Sequence, residues 1–465
     1  MSIILNHCYY KVQRNIRNKI LEETVMKRLL SLLLVTALCI GITACSGKTD
    51  SQGTEKTGDQ KVEIRLLTRM AGTSKQVGIF KDIIKEFESK HPDAKIIDES
   101  QGDESSFNNK LKTDLSSGTL PNIFRIQGVA NLSEYIENGV IMDLAPFIKE
   151  DTQWGGSFVP GALSYYQVPG HSGTYAIPME SGLIGVYYNS ALFKKAGIEK
   201  FPETWSELKA AIEKLKAIKV TPIALGAKTT YMAGHLHDQI FYKWMGTEAA
   251  KKLGTRQIKW TDPDVVKTLG FVKELNDMGT FPAGAAGVSD DIVLSQFQKG
   301  EAAMIVTGAW NIGNFTNKQD CLVADDIKVA KFPYFEEKPE FKNEDMQVIS
   351  PYMVSGKLKG KEKDYTIELL KMLTSKEAAK RYAEEASFLI PRTDVEIDSS
   401  KVSPLFNEVI KLGKTSTGIA VDVFDFDPLA SMQDRTRNSI VSMLVGSTPE
   451  QAAQEIQSEI DKAGK

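Results

Sequence analysis

Strands and helices alternate where the sequence first takes on a globular composition. Residues 62–67 (VEIRLL) are typical of a buried strand, and apolar residues between positions 77 and 87 recur at helical spacing. A second strand at 95–97, a helix at 103–117 and a third strand at 123–126 follow. This β-α-β-α-β order predicts an α/β fold in which helices cover the faces of a mostly parallel sheet.

The alternation returns further along the chain. Thr204 and Glu207 have the spacing of a capping box, which predicts that a helix begins at this point. Asn189 is expected to cap another helix, and Thr448 a final one that has Pro449 at its first position. The expected strands are residues 183–188, 222–225 and 302–306, and the other expected helices of the last third are 364–374, 375–386 and 429–444.

A secretory signal precedes the globular part. Lys27 and Arg28 are followed by an uncharged, mostly apolar run at 29–42 and then by small residues. This order is that of a signal peptide. The run is shorter than the about 20 apolar residues that a membrane-spanning helix needs.

The signal ends in Ile-Thr-Ala-Cys at residues 42–45, which resembles the lipobox of bacterial lipoproteins, where the cysteine is lipidated. We expect residues 1–25 to be untranslated, with the start at Met26, and residues 26–44 to be removed as the signal peptide. Lipid on Cys45 would then tie the chain to a membrane surface. An ordinary signal peptide, with Cys45 incidental, is the alternative.

Composition limits what the exported chain can bind. Removing residues 1–44, with six basic and two acidic residues, leaves 51 basic and 58 acidic residues and a net charge of −7. This charge argues against nucleic acid and against electrostatic adhesion to anionic lipid. Residues 45–60 read as the lipidated cysteine and a flexible tether. Cys321 is the other cysteine of the exported chain, so no internal disulfide is expected.

Signatures of catalysis and cofactor binding are missing. The sequence contains no G-x-S-x-G, no G-x-x-x-x-G-K-[ST] and no G-x-G-x-x-G motif. His235 and His237 are two residues apart, so they diverge on a helix, and no metal is expected. A glycosidase would need two carboxylates on either side of a bond, and no such pair can be identified. We expect a protein without catalytic residues or cofactor.

The most informative local pattern is residues 297–311, FQKGEAAMIVTGAWN. A helix ends at Gly300, a short apolar strand follows, and Trp310 comes just after the strand. Ligands of open α/β sheets bind beyond the carboxyl ends of the strands. Trp310 is therefore either part of a ligand site or an ordinary core tryptophan.

This pattern, F-Q-K-G-E-A-A-M-x-x-x-G-A-W, resembles a hallmark of the extracellular solute-binding proteins of family 1, the carbohydrate receptors of ABC importers. The resemblance covers about residues 61–465. Five other segments agree in the same order: residues 120–125 (LPNIFR), 175–178 (YAIP), 185–198 (GVYYNSALFKKAGI), 202–208 (PETWSEL) and 389–392 (LIPR).

The resemblance implies a two-lobed periplasmic-binding-protein-like fold of type II, with the ligand in a cleft between the lobes. Residues 61–178 and 334–388 would form the N-lobe, and residues 179–333 and 389–465 the C-lobe. The chain would cross between them near Pro178, near residues 332–333 and near residues 389–391. Closure would be a hinge motion.

The resemblance also implies the ligand-binding residues. Trp310 would stack on a sugar ring, whose apolar C–H face covers an indole. Glu180 would accept sugar hydroxyls, or else be a solvated loop carboxylate. The other candidates are Gln127, Arg69, His235, Asp238, Asn311, Phe424 and Asp425.

Two departures argue against maltodextrin as the ligand. Ile126-Gln127 stand where maltose-binding members have a tryptophan, so one stacking platform is missing and Gln127 would contribute an amide instead. Residues 69–73 (RMAGT) replace an acidic residue and a lysine that follow the first strand in those members.

The expected function is a lipid-anchored substrate-binding subunit of an ABC importer. It would act as a monomer on the outer face of the cell membrane, of Gram-positive type, and pass a sugar or oligosaccharide to a permease that has a separate ATPase. The alternatives are a surface lipoprotein that acts on glycans and a receptor of the same fold for another solute.

Overall fold

The computed structural model describes residues 61–129, 132–168, 170–429 and 431–464. The predicted signal peptide, Cys45 and the tether lie outside these residues. Within them, no helix combines the length and the apolar character needed to cross a membrane. Cys321 is buried and free among the described residues.

Nine strands form a mixed sheet in the order β2-β1-β3-β8-β4-β6-β5, with β7 beside β4 and β9 beside β8. The strands are β1 (Val62–Leu67), β2 (Ala94–Asp98), β3 (Ile123–Phe124), β4 (Ile177–Asn189), β5 (Thr221–Ala224), β6 (Ala302–Gly308), β7 (Ile327–Ala330), β8 (Glu344–Val354) and β9 (Gly418–Ala420).

Pairing within the sheet is parallel for β1–β2, β1–β3, β5–β6 and β8–β9. The pairs β3–β8, β4–β6, β4–β7 and β4–β8 are antiparallel. The parallel units are those in which helices connect the strands, as the alternation predicted. The antiparallel pairs all involve β4 or β8, the two long strands, because these strands run from one group of parallel strands to the other.

Eighteen α-helices surround the sheet in the described residues, together with five short 3₁₀ turns. The helices are α1 (Lys75–Lys90), α2 (Glu104–Ser117), α3 (Leu132–Glu137), α4 (Ala145–Glu150), α5 (Thr152–Gly155), α6 (Pro160–Ser164), α7 (Ser190–Lys195), α8 (Trp205–Ala217), α9 (Tyr231–Met245), α10 (Glu248–Gly254), α11 (Pro263–Asp277), α12 (Asp290–Gln298), α13 (Ile312–Thr316), α14 (Gly360–Leu373), α15 (Lys376–Ala386), α16 (Pro404–Lys414), α17 (Met432–Met443) and α18 (Pro449–Ala463). The 3₁₀ turns are Ala285–Gly287, Ala309–Asn311, Ala324–Asp326, Pro339–Phe341 and Val423–Phe426.

Local sequence determines several helix starts. Thr204 and Glu207 form the predicted capping box at the start of α8, and Thr448 caps α18. The side chain of Asn189 accepts a hydrogen bond from the N–H of Leu192 at 3.0 Å and caps α7. These interactions satisfy backbone donors that have no partner inside the helix. The predicted caps are therefore confirmed.

Buried apolar side chains form two smaller clusters and one larger cluster. We call the residues around the two smaller clusters, within 62–179 and 349–395, the N-lobe. We call those around the larger cluster, within 183–348 and 397–460, the C-lobe; Ala383 and Leu389 also contact this larger cluster. Each lobe thus has a hydrophobic core of its own.

Three chain segments lie side by side where the lobes meet. The N–H of Ser181 in β4 donates to the carbonyl of Leu389 at 2.9 Å. Gln347 in β8 donates to the hydroxyl of Ser181, whose backbone pairs with Ile349. Crossings were expected near Pro178 and near residues 389–391, close to these contacts.

The second crossing was expected near residues 332–333, in a segment that packs with the C-lobe core. Phe332 packs in the C-lobe core, and the N–H of Trp205 donates to the carbonyl of Tyr334 at 2.8 Å. Residues 334–348 also pack with the C-lobe, and this part of the chain passes to the N-lobe core within β8, between Val348 and Ile349. The division into moving units stays a prediction.

Candidate ligand-binding site

A cavity of about 620 Å³ lies between the two lobes. This volume is within the range of about 300–1,000 Å³ that is common for small-molecule sites. The N-lobe wall includes Arg69, Glu104, Phe107, Arg125, Gln127 and Tyr135, and the C-lobe wall includes Tyr231, His235, Asp290, Trp310, Asn311, Asp422 and Arg437. Glu180 and Ser350, from the strands that join the lobes, also line it.

Trp310 lies on the 3₁₀ turn that follows β6, at the cavity wall. Its indole rests on the backbone of Gly182 in β4 and Gly308 in β6. A Cβ atom at Gly182 would lie 2.9 Å from the ring, and one at Gly308 would overlap with it. One side of the indole lies against the strands. The side chain is only partly buried, and the ring contributes to the surface of the cavity. Trp310 is therefore a wall residue, not a core tryptophan.

Two further rings extend this aromatic wall. The imidazole of His235 lies edge-on to Trp310, with 6.1 Å between ring centroids, and 5.3 Å from the ring of Tyr231. Burial lowers the pKa of His235 to about 4, although the nearby Asp422 opposes this shift. His235 is therefore neutral near pH 7, and the wall keeps its aromatic character without added charge.

Glu180 faces Arg125 across the floor of the cavity. Its side chain is 8% exposed, and its Oε1 has no hydrogen-bond partner among the described residues. Burial raises the pKa of Glu180, while Arg125 and a hydrogen bond from Ser350 oppose the rise. An unpartnered, buried carboxylate oxygen thus lies at the floor of the cavity.

Gln127 and Asn311 line the cavity, but other protein groups already occupy their amides. The amide of Gln127 donates to the carbonyl of Ile349 at 3.0 Å and accepts from Arg125 at 2.8 Å. Asn311 donates to Thr307 at 2.9 Å and accepts from the side chain of Asn314. Both side chains hold the wall in place, and any role in ligand contact would require these bonds to be shared.

Arg69 follows β1 and reaches the cavity from the N-lobe. Its guanidinium donates to the carbonyl of Gly102 at 2.7 Å and to Glu104 at 3.4 Å. Its buried Nε has no acceptor among the described residues. This buried donor is thus left unsatisfied within the described residues.

Asp422 and Arg437 form the polar part of the C-lobe wall. Nη2 of Arg437 lies 3.0 Å from Oδ1 of Asp422, and both side chains are buried. Burial alone would raise the pKa of Asp422, but Arg437 and His235 hold it below the ordinary value. The Nε of Arg437 lacks an acceptor among the described residues. This part of the wall thus contains a buried ion pair with one unsatisfied donor.

Three of the predicted residues, Asp238, Phe424 and Asp425, do not line the cavity. Asp238 lies on α9, which is buried on all sides beyond its first turn. Asp422 lines the cavity, whereas Asp238 does not. Phe424 packs under the guanidinium of Arg437, 5.1 Å from it. Asp425 points towards the N-lobe, where the hydroxyl of Tyr165 donates to its Oδ2. Their expected place in the cleft is corrected accordingly.

Several residues of the wall were not predicted from the sequence. Arg125 ends the LPNIFR segment that carried the resemblance, so its position could have been inferred from the strand it follows. Tyr231 lies one turn before His235 on the same helix and could have been found in the same way. Asp422 and Arg437 had no such signal, since they reach the site only through the packing of the C-terminal helices.

Charges at the cavity wall are mixed, with a surplus of acid. Four basic and six acidic side chains line it: Arg69, Lys112, Arg125 and Arg437 against Glu104, Glu180, Asp290, Asp291, Asp422 and Asp434. In the part of the chain that the structure describes, no group of three or more His, Cys, Asp or Glu side chains could hold a metal ion. The wall is suited to a polar ligand without strong negative charge.

The sequence profile of bacterial extracellular solute-binding proteins matches residues 71–380, more than half of the chain. This chain belongs to that family. An uncharacterised ABC transporter extracellular-binding protein of Pyrococcus horikoshii is 28% identical over 302 residues, which are 63% of this chain and 66% of that protein. The multiple sugar-binding protein of Streptococcus mutans is 25% identical over 280 residues, 58% of this chain and 61% of that protein. The chain thus matches about two thirds or less of these relatives.

A solved structure resembles this solute-binding family member over more of the chain than the family profile matches. A chitin oligosaccharide binding protein superimposes with a TM-score of 0.78 at 24% identity, covering 87% of this chain and 99% of that one. At this identity the likeness shows the fold alone. The fold is therefore the two-lobed type II binding-protein fold expected from the sequence.

Proposed function

We propose that this protein is the substrate-binding subunit of an ABC importer and captures a neutral sugar or oligosaccharide in the cavity between its lobes. The names of the Streptococcus mutans relative and of the chitin oligosaccharide binding protein support a carbohydrate ligand. Delivery to a membrane permease with a separate ATPase is part of the proposal.

The position of Trp310 carries this proposal. Gly182 and Gly308 leave room for a flat indole whose exposed side faces the cavity. A sugar ring presents an apolar C–H face that suits such a platform, and aromatic side chains of this kind bury about 150–250 Å². Phe107, Tyr135 and Tyr231 add aromatic surface on both lobes in place of the stacking tryptophan that residues 126–127 lack.

Unpartnered polar atoms support a hydroxyl-rich ligand. Oε1 of Glu180 can accept a hydrogen bond, and the Nε atoms of Arg69 and Arg437 can donate one. They come from both lobes and from the strands between them, so one ligand bound to all three would hold the lobes together. Hydrogen bonds to charged groups contribute about 1.5–3 kcal/mol each, and micromolar affinity needs about 8 kcal/mol in total.

The charge of the wall supports a neutral ligand over an anionic one. Arg69 is paired with Glu104 and Arg437 with Asp422. The surplus of acidic side chains would repel an anionic group, and these two arginines are already paired with carboxylates. Sugar hydroxyls carry no charge and can bind carboxylates and guanidinium groups alike.

The location and assembly of the protein complete the proposal. Lipid on Cys45 would hold the monomer at the outer face of the cell membrane, as expected for a Gram-positive type of envelope, and residues 46–60 would give it reach. The ligand would favour the closed arrangement of the lobes, since equal affinity for the open and closed forms would shift nothing.

A glycan-binding panel followed by titration calorimetry tests the proposal. The intact protein is expected to bind at least one neutral sugar, and Trp310→Ala to weaken that binding by about 30-fold, or about 2 kcal/mol. Trp310→Phe, which keeps an aromatic face, should retain most of the affinity. Absence of binding to any glycan, or unchanged affinity in Trp310→Ala, would contradict a stacked sugar.

The same incubations separate a receptor from a glycan-active enzyme. Chromatography of each bound glycan after prolonged incubation is expected to recover it unchanged. Shortened or transferred products would favour the enzyme instead.

A further inference from the structure

Asp425 connects the two lobes away from the cavity. It lies on the 3₁₀ turn Val423–Phe426 of the C-lobe and is 3% exposed. Its Oδ2 accepts a hydrogen bond from the hydroxyl of Tyr165, which follows α6 in the N-lobe. A buried carboxyl of one lobe is thus hydrogen-bonded to a side chain of the other.

A second N-lobe group lies close to the same carboxyl. Gly128 has a backbone φ of +81°, and a Cβ atom at this position would lie 2.7 Å from Oδ1 of Asp425. The two oxygens of the carboxyl therefore face two different segments of the N-lobe, Gly128 and Tyr165. Separation of the lobes would break both contacts and expose the carboxyl to water.

We propose that Tyr165 and Asp425 form an interlobe latch whose closure depends on the protonation of Asp425. The latch rests on the hinged closure of the proposed function, but it does not depend on which ligand is bound. It assigns to Asp425 a role in lobe closure in place of the ligand contact predicted from the sequence.

The surroundings of Asp425 explain the dependence on protons. Tyr165 and Tyr166 face it from the N-lobe, Asp422 from its own segment, Asp238 and Tyr242 from α9, and Arg437 from α17. Burial, followed by the charge of Asp422, raises the pKa of Asp425 to about 8. The hydrogen bond from Tyr165 and the charge of Arg437 oppose this rise without cancelling it.

Linkage fixes the direction of the effect. Opening of the lobes would bring water to the carboxyl, which lowers its pKa, and would remove the hydrogen bond from Tyr165, which raises it. Burial is the larger of these two influences, so the closed form binds the proton more tightly than the open form. Below about pH 8, each unit of rising pH therefore moves the equilibrium towards the open form by at most about tenfold. Closure is favoured in acid and weakened at alkaline pH.

Small-angle X-ray scattering of the intact, ligand-free protein between pH 5.5 and pH 8.5 tests the latch. The radius of gyration is expected to increase with pH in the parent. Asp425→Asn keeps the size of the side chain and stays neutral, so it should hold the low radius at every pH. Asp325→Asn is the matched control, because Asp325 pairs with Lys318 within the C-lobe and both side chains are exposed; it should keep the parent profile.

Tyr165→Phe gives an independent arm, since it removes only the hydroxyl, and it should give a larger radius than the parent at pH 5.5. Near-ultraviolet circular dichroism establishes that each variant is folded. A radius that does not change with pH in the parent, or the same pH profile in Asp425→Asn as in the parent, would overturn the latch. The scattering measurement uses no sugar, so it can be interpreted even if the glycan panel finds no ligand. Failure of the latch would likewise leave the glycan-binding result unaffected.

Discussion

The backbone of Gly308 lies directly beneath the indole of Trp310, so closely that a Cβ atom at Gly308 would overlap with the ring. The two residues are two positions apart in the sequence. The backbone of Gly308 supports the indole, and the indole provides the flat surface of the proposed binding site. Gly308 has a backbone φ of −94°, so the glycine is required by the close approach of the ring and not by the backbone conformation.

Gly308→Ala is expected to push the indole out of its seat. Overpacking of this kind costs about 1–3 kcal/mol, and we expect sugar affinity to fall by about tenfold or more. Titration with a glycan that the panel identifies provides the measurement. Gly287→Ala is the matched control, because a Cβ atom at Gly287 would meet open space. Equal affinities for the two variants would contradict the seat.

Arg437 neutralises a buried carboxylate, so its loss should destabilise the protein. Arg437→Met leaves the carboxylate of Asp422 without its partner at 3.0 Å, which costs about 3–5 kcal/mol. Urea unfolding provides the free energy. Combining it with Asp422→Asn removes the unpaired charge and should recover part of the loss. If Arg437→Met alone is as stable as the parent, the ion pair does not stabilise the protein as proposed.

Lys243 provides a second buried pair, far from the cavity. Its Nζ donates to the carbonyls of Lys342 and Glu344 and to Asp345 at 2.8 Å, and the side chain is fully buried. Lys243→Met is expected to cost about 3–5 kcal/mol of unfolding free energy, because Asp345 loses a close partner.

The exposed pair of Lys251 and Glu248, also 2.8 Å apart, is the control for this change. Lys251→Met should change the free energy of unfolding by about 1 kcal/mol or less. Comparable losses in the two variants would mean that burial does not distinguish the two pairs.

Two buried histidines should make the protein sensitive to acid. Burial lowers the pKa of His235 to about 4 and that of His237 to about 3, while the unfolded chain takes up these protons near pH 6.5. The stability they contribute is therefore present above pH 6.5 and is lost as the pH falls towards 4. Asp425, whose pKa is raised to about 8, acts in the opposite direction: it favours the folded state in acid and loses that contribution as the pH rises.

His237→Gln isolates one of these histidines without touching the cavity. Nε2 of His237 lies 3.0 Å from the hydroxyl of Thr268, which itself donates to the carbonyl of Val265. The histidine is thus the donor, and glutamine can replace it. Between pH 7 and pH 5 the variant should lose about 2 kcal/mol less unfolding free energy than the parent. Parallel pH profiles in urea unfolding would refute this.

The local features of the fold follow directly from the sequence. Thr204 with Glu207 and Asn189 with its helix form contacts between residues three positions apart. Such contacts depend on spacing alone, and the structure has them as predicted. Trp310 follows the predicted apolar strand, but spacing alone left open whether it lies in the core, and the structure places it at the cavity wall.

The corrected features all depend on residues distant in the sequence. Asp425 was expected in the cleft, but it contacts Tyr165, 260 residues away. Residues 334–348 pack with the C-lobe core, because β8 continues from one core to the other, and a crossing near residue 333 stays a prediction. The hydrophobic pattern of one segment does not predict which distant segment of the chain will pack against it.

The sequence by itself determined the α/β class, the helix caps and the family to which the chain belongs, because these depend on composition, spacing and ordered motifs. Only the tertiary structure decided that Gly182 and Gly308 seat the indole, that Asp422 and Arg437 line the cavity and that Asp425 faces the other lobe. These relationships arise where strands and helices from separate parts of the chain pack together. Burial at those contacts then sets the protonation of His235 and Asp425.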